Sequence, residues 1–433
     1  MEKEINFGIG FVTGRSNVCK VINSYYEQIV EQTKRYSKKI NVTVFILFDT
    51  TYQQTPREEF YNIKPEVHKK IKIVYITPED IEKEIEELTT KKGIKTEDME
   101  FFLGHGHAKG RNTVMYYAIK NKINYLLFWD DDEYPLAVLK EKGKNEWIKQ
   151  DNILKHLESM DKENANVTIG YHCGYISPIP YIDFNEKFTE QDLKEFIEVI
   201  SNDIISWESI KEKMQNNNGV TYAKREIAMG NGAYEIESDG VGKWVAGSTL
   251  CLNLNDKDKI PAFYNPPAAR GEDTFFSTLL DNSKTVRVPV YHFHDGFLKY
   301  TQIMDGVYPQ TLRKINVKEN NIKNRFLKAS IGWIKYKPLL LYIKDKENYK
   351  KEINNIEKNL AQKYTVLKVP HHGSRFSSSE NMLSKIEPKY SVISCGEGNS
   401  YGHPHIETID RLNMHNTEIL RTDFIGEIDF RME

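Results

Sequence analysis

Residues 123–133 read Ile-Asn-Tyr-Leu-Leu-Phe-Trp-Asp-Asp-Asp-Glu. An apolar run of strand length, Tyr125 to Trp129, ends in four consecutive carboxylates: Asp130, Asp131, Asp132 and Glu133. A central strand of a parallel sheet, buried on both faces, reads as such a run, and ligands gather beyond the carboxyl ends of these strands. Four carboxylates so close together repel one another unless positive charge lies between them. A hard divalent cation with oxygen ligands, Mg²⁺ or Mn²⁺, is the simplest neutraliser. A solvated acidic turn is the plainer alternative.

Upstream, residues 5–12 form a first buried strand, and Thr13-Gly14-Arg15-Ser16-Asn17 turns the chain into a helix. That helix carries Val18, Val21, Ile22, Tyr25, Ile29 and Val30 as a stripe of 3.6-residue period. Strands follow at 42–48, ending at Asp49, and at 71–76, before Thr77-Pro78-Glu79-Asp80 opens another helix. Strand and helix alternate, which predicts an α/β sheet.

Residues 104–112, Gly-His-Gly-His-Ala-Lys-Gly-Arg-Asn, form a glycine-rich basic loop that opens a helix at 113–120 and feeds the acidic strand. Glycines let a backbone approach a phosphate, and Arg111 and the helix N-terminus supply positive charge. His105 and His107 have a zinc-ligand spacing, but Lys109 and Gly110 stand where the remaining ligands belong, so zinc is not expected here. Further on, Glu272 and Asp273 fall in the first turn of a helix, where the dipole favours ionised acids. The strand at 285–291 ends in His292-Phe293-His294-Asp295. Either histidine could complete the coordination of a metal held by the acidic strand, or be an ordinary surface imidazole.

Between these motifs the pattern predicts helix at 136–161, strand at 167–176, a long amphipathic helix at 188–215 closed by Asn216 to Gly219, and strand at 244–254. With 60 Lys+Arg against 62 Asp+Glu, no global field points to nucleic acid, and none is expected as a partner. Cys19, Cys173, Cys251 and Cys395 are scattered without metal spacing. The N-terminus lacks a signal-peptide pattern and no apolar run is long enough for a membrane span. A cytoplasmic protein is therefore expected, free or peripheral to the inner face of the membrane.

Taken together, residues 5 to about 300 resemble a glycosyltransferase of the nucleotide-sugar-binding GT-A fold. The resemblance rests on the strand-end DxD element (Asp130, Asp131, Asp132), the upstream loop with Arg111-Asn112, the Glu272-Asp273 pair and the late His292/His294. It implies a Rossmann-like, mostly parallel sheet flanked by helices. It also implies a nucleotide-diphosphate sugar as donor and a hydroxyl acceptor (a glycan, a lipid-linked or a small molecule). Asp130 and Asp132, with His292 or His294, are implied as ligands of the Mn²⁺ or Mg²⁺ that clamps the diphosphate. Thr13, Arg15, Asp49, Arg111, Asn112, Asp130 and Asp131 are implied on the donor side. In an inverting member, Asp273 is the general base beside the acceptor, with Glu272 next to it. The usual acidic pair after the second strand is reduced here to Asp49 followed by Thr50-Thr51.

The tail carries a second resemblance. Val366-Leu367-Lys368-Val369-Pro370-His371-His372-Gly373-Ser374, Ser377-Ser378-Ser379 and Tyr401-Gly402-His403-Pro404-His405 are very similar to the C-terminal part of the metallo-β-lactamase-fold domain of competence-type DNA-uptake proteins. The upstream histidine–aspartate cluster of that fold is missing, and only His371 or His372 could stand for a family ligand. The expected organisation is a transferase domain over 1–320, a helical linker over 321–362 and a small truncated α/β fragment over 363–433. A hydrolase or nuclease subunit completed by a partner, or a non-enzymatic adaptor, are the competing functions.

Overall fold

The computed structural model describes residues 4–51, 53, 55–176, 179–186, 189–200, 206–230, 232–267, 269–319, 321–360 and 366–428. The chain divides into two compact units, Met1–Leu340 and Leu341–Glu433. The division falls inside the segment expected to be a linker.

The first unit is built on β1 (Ile5–Thr13), β2 (Ile40–Phe48), β3 (Lys72–Ile76), β4 (Tyr125–Phe128), β5 (Glu133–Tyr134), β6 (Leu136–Glu141), β7 (Lys144–Lys149), β8 (Val167–Tyr175), β9 (Tyr234–Glu235), β10 (Leu250–Asn253) and β11 (Thr285–Asp295). Its main sheet runs β3-β2-β1-β4-β10-β8-β11-β5, with β9 added against β11. Strands β3, β2, β1 and β4 pair in parallel, as do β8 and β11. Antiparallel β10 joins the two blocks. This is an α/β fold, a Rossmann-like sheet flanked by helices.

The parallel block is buried on both faces, as its unbroken apolar runs require. Phe7, Ile9 and Phe11 of β1 pack with Tyr25 and Ile29 of the helix Asn17–Arg35 on one side. Each such side chain taken out of water contributes about 1.5–3 kcal/mol. On the other side the helix His107–Lys120 lies very close to β1. A Cβ at Gly10 would stand 2.6 Å from Val114, and one at Gly110 2.5 Å from Val12. Two missing side chains thus let the helix sit down on the strand, and this sets where Arg111 comes to rest.

Four segments differ from expectation. Of the strand expected at 244–254 only Leu250–Asn253 pairs, Thr249 at φ 52° breaking the extended backbone before it. Residues 136–161 are not one helix: β6 and β7 form a hairpin ahead of the helix Asn152–Glu163. Leu136, Ala137, Val138 and Leu139 are a continuous buried strand, and Lys142-Gly143 turns the hairpin with both residues at positive φ. The helix expected from 113 already begins at His107, because Gly106 at φ 89° starts it and Ala108 is buried beneath its first turn. The stretch 188–215 gives two helices, Glu190–Ile200 and Trp207–Asn217; its residues 188 and 201–205 lie outside the described residues.

In the second unit β12 (Val366–Lys368), β13 (Tyr390–Ile393) and β14 (Glu418–Arg421) form a parallel three-stranded sheet. Val369, Leu383, Ile393 and Leu412 make its small core. His371 and His372 follow β12 with both residues at positive φ. His372 Nδ1 faces the Ser394 carbonyl oxygen, and His403 and His405 lie 5.0 Å apart between ring centres.

Candidate active site

The four carboxylates leave β4 in a tight turn, with the Glu133 N–H donating to the Asp130 carbonyl at 3.2 Å. β5 then pairs antiparallel with the end of β11, setting Glu133 opposite His294 and Tyr134 opposite Phe293. The Asp295 N–H donates to the Asp132 carbonyl at 2.8 Å and closes the ladder. Backbone hydrogen bonds therefore fix the acidic stretch at both ends, and its side chains go separate ways.

Glu133 turns inward. Its carboxylate accepts from Ser248 Oγ at 2.5 Å and lies 3.0 Å from His172 Nε2 and 3.1 Å from His292 Nδ1. His292 Nε2 meets the Asn152 side-chain amide at 3.2 Å. That amide is oriented by Gln32, whose own oxygen accepts the N–H groups of Ile153 and Leu154. Nε2 of His292 therefore accepts and Nδ1 carries the proton toward Glu133. Burial holds His292 in its neutral form, lowering its pKa. Against the same penalty, His172 and His292 keep Glu133 ionised, well below the usual carboxylate range.

Asp131 and Asp132 meet cations supplied by the chain. The Asp131 carboxylate takes Arg15 through two nitrogens and accepts from the Thr13 hydroxyl. Thr13 in turn accepts the Arg15 N–H at 2.9 Å, and Asn17 donates to the Asp131 carbonyl. Asp132 lies 2.9 Å from Arg15, 3.5 Å from His294 and 3.6 Å from Arg325. Against burial, Arg15, His294 and Arg325 hold it far below the ordinary carboxylate range. Against burial, Asp132, with Glu133 and Asp130 behind it, raises His294 to about 9, so it is an imidazolium at neutral pH.

Asp130 points into the cleft with 38 % of its side chain exposed, 3.5 Å from Arg111. Burial, countered by Arg111 and reinforced by Glu133 and Asp132, raises its pKa, an effect that solvent at this exposure partly screens. Arg111 is itself buried, its guanidinium 5.0 Å above the Phe128 ring and 3.5 Å from Glu272. His107 and Arg111 hold Glu272 low despite its burial. Asp273 differs from its neighbour: burial and the Glu272 charge push it up to about 6 against Arg111. One carboxylate of the pair is firmly ionised, while the other can exchange a proton near neutral pH.

These groups line one cleft of about 1290 Å³ in the first unit. Thr13, Arg15, Asp49, Arg111, Asp130, Asp131, Asp132, Glu272, Asp273 and His294 all face it. Two candidates do not. Asn112 is buried and spends its side chain on the Phe263 backbone, donating at 2.9 Å and accepting at 2.8 Å, so it secures the wall rather than contacting a donor. His292 lies behind the cleft with both ring nitrogens engaged, which leaves no lone pair for a metal. Asp49, buried in the lining, accepts the Thr51 N–H.

The sequence reading missed one wall. The helix Ile322–Lys344, assigned to a linker, brings Arg325, Lys328, Lys335 and Tyr336 to the cleft. His172, Ser248 and Arg270 were missed as well. The helix has no acidic residue among its 23, and that one-signed composition was the available signal.

Among the described residues, no three His, Cys, Asp or Glu side chains converge as the ligands of an ion. Asp131 and Asp132 turn their oxygens to arginines, Glu133 faces histidines and Asp130 stands apart. The arrangement does not fit the expected Mn²⁺ or Mg²⁺, and no step below runs through a metal. No described helix is long and apolar enough to cross a membrane.

No protein-family profile matches the chain. ComE operon protein 3 of Bacillus subtilis (strain 168) is 41% identical over 80 residues, 18% of this chain and 10% of that protein. Competence protein ComA of Neisseria gonorrhoeae is 39% identical over 80 residues, 17% of this chain and 12% of that protein. Recombination protein 2 of Haemophilus influenzae is 36% identical over 66 residues, 15% of this chain and 8% of that protein. The chain thus spans about a tenth of the length of the curated relatives it matches. Among solved structures, mouse xyloside xylosyltransferase 1 in its apo form aligns over 39% of this chain and 53% of that chain, at 10% identity and a TM-score of 0.20.

Proposed function

We propose that the first unit is a glycosyltransferase that moves a sugar from a nucleotide-diphosphate donor to a hydroxyl acceptor with inversion. The observation that carries this reading is the cleft where the strand-end carboxylates, Arg111 and the Glu272-Asp273 pair meet. Asp273 accepts the proton of the acceptor hydroxyl as its oxygen bonds to the anomeric carbon. The bond from that carbon to the diphosphate oxygen breaks, and the electron pair leaves with the phosphate. A base with a pKa near 6 suits this work at neutral pH. Arg111 sits between Asp130 and Glu272 and keeps positive charge beside the reacting groups. Incubating the protein with nucleotide sugars and mixed acceptors, with product stereochemistry read by NMR, tests the reading. Absence of transfer from every donor, together with no nucleotide binding, removes it.

A second reading concerns the tail. The motifs around His371-His372-Gly373 and His403-Pro404-His405 resemble a metallo-β-lactamase-fold segment, and competence and recombination proteins are 36–41% identical to this chain over 66–80 residues. In the second unit, His371, His372, His403 and His405 do not gather as ligands among the described residues. A hydrolase or nuclease function would need a partner chain to complete the site, and tightly held stoichiometric zinc in the purified protein would speak for it.

A further inference from the structure

We infer that the positive charge facing the donor's diphosphate is supplied by this chain, through Arg325 and Arg15, so that nucleoside diphosphates bind without a divalent ion. The inference rests on the transferase reading and specifies the chemistry of the same cleft.

A metal clamp needs several oxygen or nitrogen donors with lone pairs turned toward one point. Here the two acids best placed for it are already balanced. Asp131 meets Arg15 through both carboxylate oxygens. One oxygen of Asp132 lies 2.9 Å from Arg15 and 3.6 Å from Arg325, and the other 3.5 Å from His294. A cation entering between them would have to displace a guanidinium whose side chain is only 16% exposed, leaving that charge buried without its partner. The acids read better as a base plate that orients arginines than as a cage for an ion.

What stands over that plate is basic. Arg325 reaches it from the helix Ile322–Lys344, which also lines the cleft with Lys328 and Lys335; Arg270, whose N–H donates to the Gly332 carbonyl of that helix, lines the cleft as well. Arg325 keeps 29% of its side chain exposed. At 3.6 Å its contact with Asp132 is an ion pair beyond hydrogen-bond range, and among the described residues its guanidinium makes no hydrogen bond. A planar fork of N–H donors, steered by a carboxylate and open to a cleft, matches two oxygens of a phosphate.

Titration calorimetry of the full chain with UDP, GDP, ADP and TDP, in EDTA and again in MnCl₂, tests this. The diphosphate that binds is expected to do so with a Kd that changes by less than about threefold between the two conditions, a small fraction of a metal clamp's worth. Arg325→Gln should weaken it by roughly tenfold or more in both, as expected for loss of a charge-assisted pair, with Arg325→Lys intermediate because it keeps charge without the fork. Folding of each variant is checked by its unfolding midpoint, and Lys335→Gln provides a second cation on the same wall should Arg325→Gln not fold. Binding seen in Mn²⁺ and lost in EDTA overturns the inference and leaves the transferase reading standing. Unchanged affinity in a folded Arg325→Gln also overturns it. No diphosphate binding in either condition removes the transferase reading, and the inference with it.

Discussion

His292 Nδ1 lies 3.1 Å from Glu133 Oε2, joining two side chains 159 residues apart in sequence. The pair is buried, and Glu133 shares its other oxygen with Ser248 and His172. Of the four acids at the end of β4, this one is a structural charge. Glu133→Gln keeps the volume but removes the charge that two imidazoles and a hydroxyl face. It should cost roughly 1.5–3 kcal/mol, the worth of hydrogen bonds to a charged group. Denaturant unfolding measures it; a loss within a few tenths of a kcal/mol would mean that the network tolerates a neutral centre.

Asp273 gives the site its pH dependence. Its carboxyl is raised to about 6, and a general base works only when ionised. kcat/KM is therefore expected to fall as pH drops through about 6, by roughly tenfold per unit below it. Asp273→Asn should lower turnover by about 10² to 10⁴ while nucleotide binding survives, and should abolish that acid limb. A pH–rate profile unchanged in shape in the variant would remove Asp273 as the base.

Gly10 and Val114 mark the seat of the Arg111 helix on β1. A methyl group at Gly10 would stand 2.6 Å from Val114 Cγ1, with the Phe128 ring at 3.4 Å. Gly10→Ala should destabilise the protein by about 1–3 kcal/mol, the usual cost of overpacking. Combined with Val114→Ala, the loss should be smaller than the sum of the two single changes. Strict additivity in the double-mutant cycle would mean that the backbone, rather than this contact, takes up the extra methyl.

Every described residue lining the cleft lies at or before Tyr336, inside the first unit. Removing residues 363–433 should therefore leave nucleotide affinity and turnover within about twofold, because the described lining of the cleft includes none of them. Calorimetry and a transfer assay on the truncated chain check this. A well-folded truncation without turnover would give the tail a part in catalysis.

The α/β alternation, the buried strand before the acids and the first strand–turn–helix were legible because periodicity and turn residues act locally. Leu136 to Leu139 misled for the same reason: a short apolar run fits a buried strand or a helix, and only pairing with β7 makes it a strand. The segment expected as a helical linker supplies a wall of the cleft through the helix Ile322–Lys344, since nothing local records what a basic face stands beside.

The sequence by itself determined that four carboxylates end a buried strand, that a basic segment precedes them and that an acidic pair and two histidines come later. Tertiary structure decided what each of them does. His292 and His294 share one face of β11, because strand side chains repeat every second residue, and no local pattern separates them. Asn152, from the helix that covers the sheet, claims the first, while Asp132, at the open end of the strand, claims the second. Asn112 was taken into the wall by the Phe263 backbone, and Asp131 and Asp132 received their charge partners from β1's turn and from a helix near the end of the first unit. The physical reason is range: propensity and periodicity act over a few residues, whereas a charge or hydrogen-bond partner is whatever the completed fold brings within about 3–4 Å.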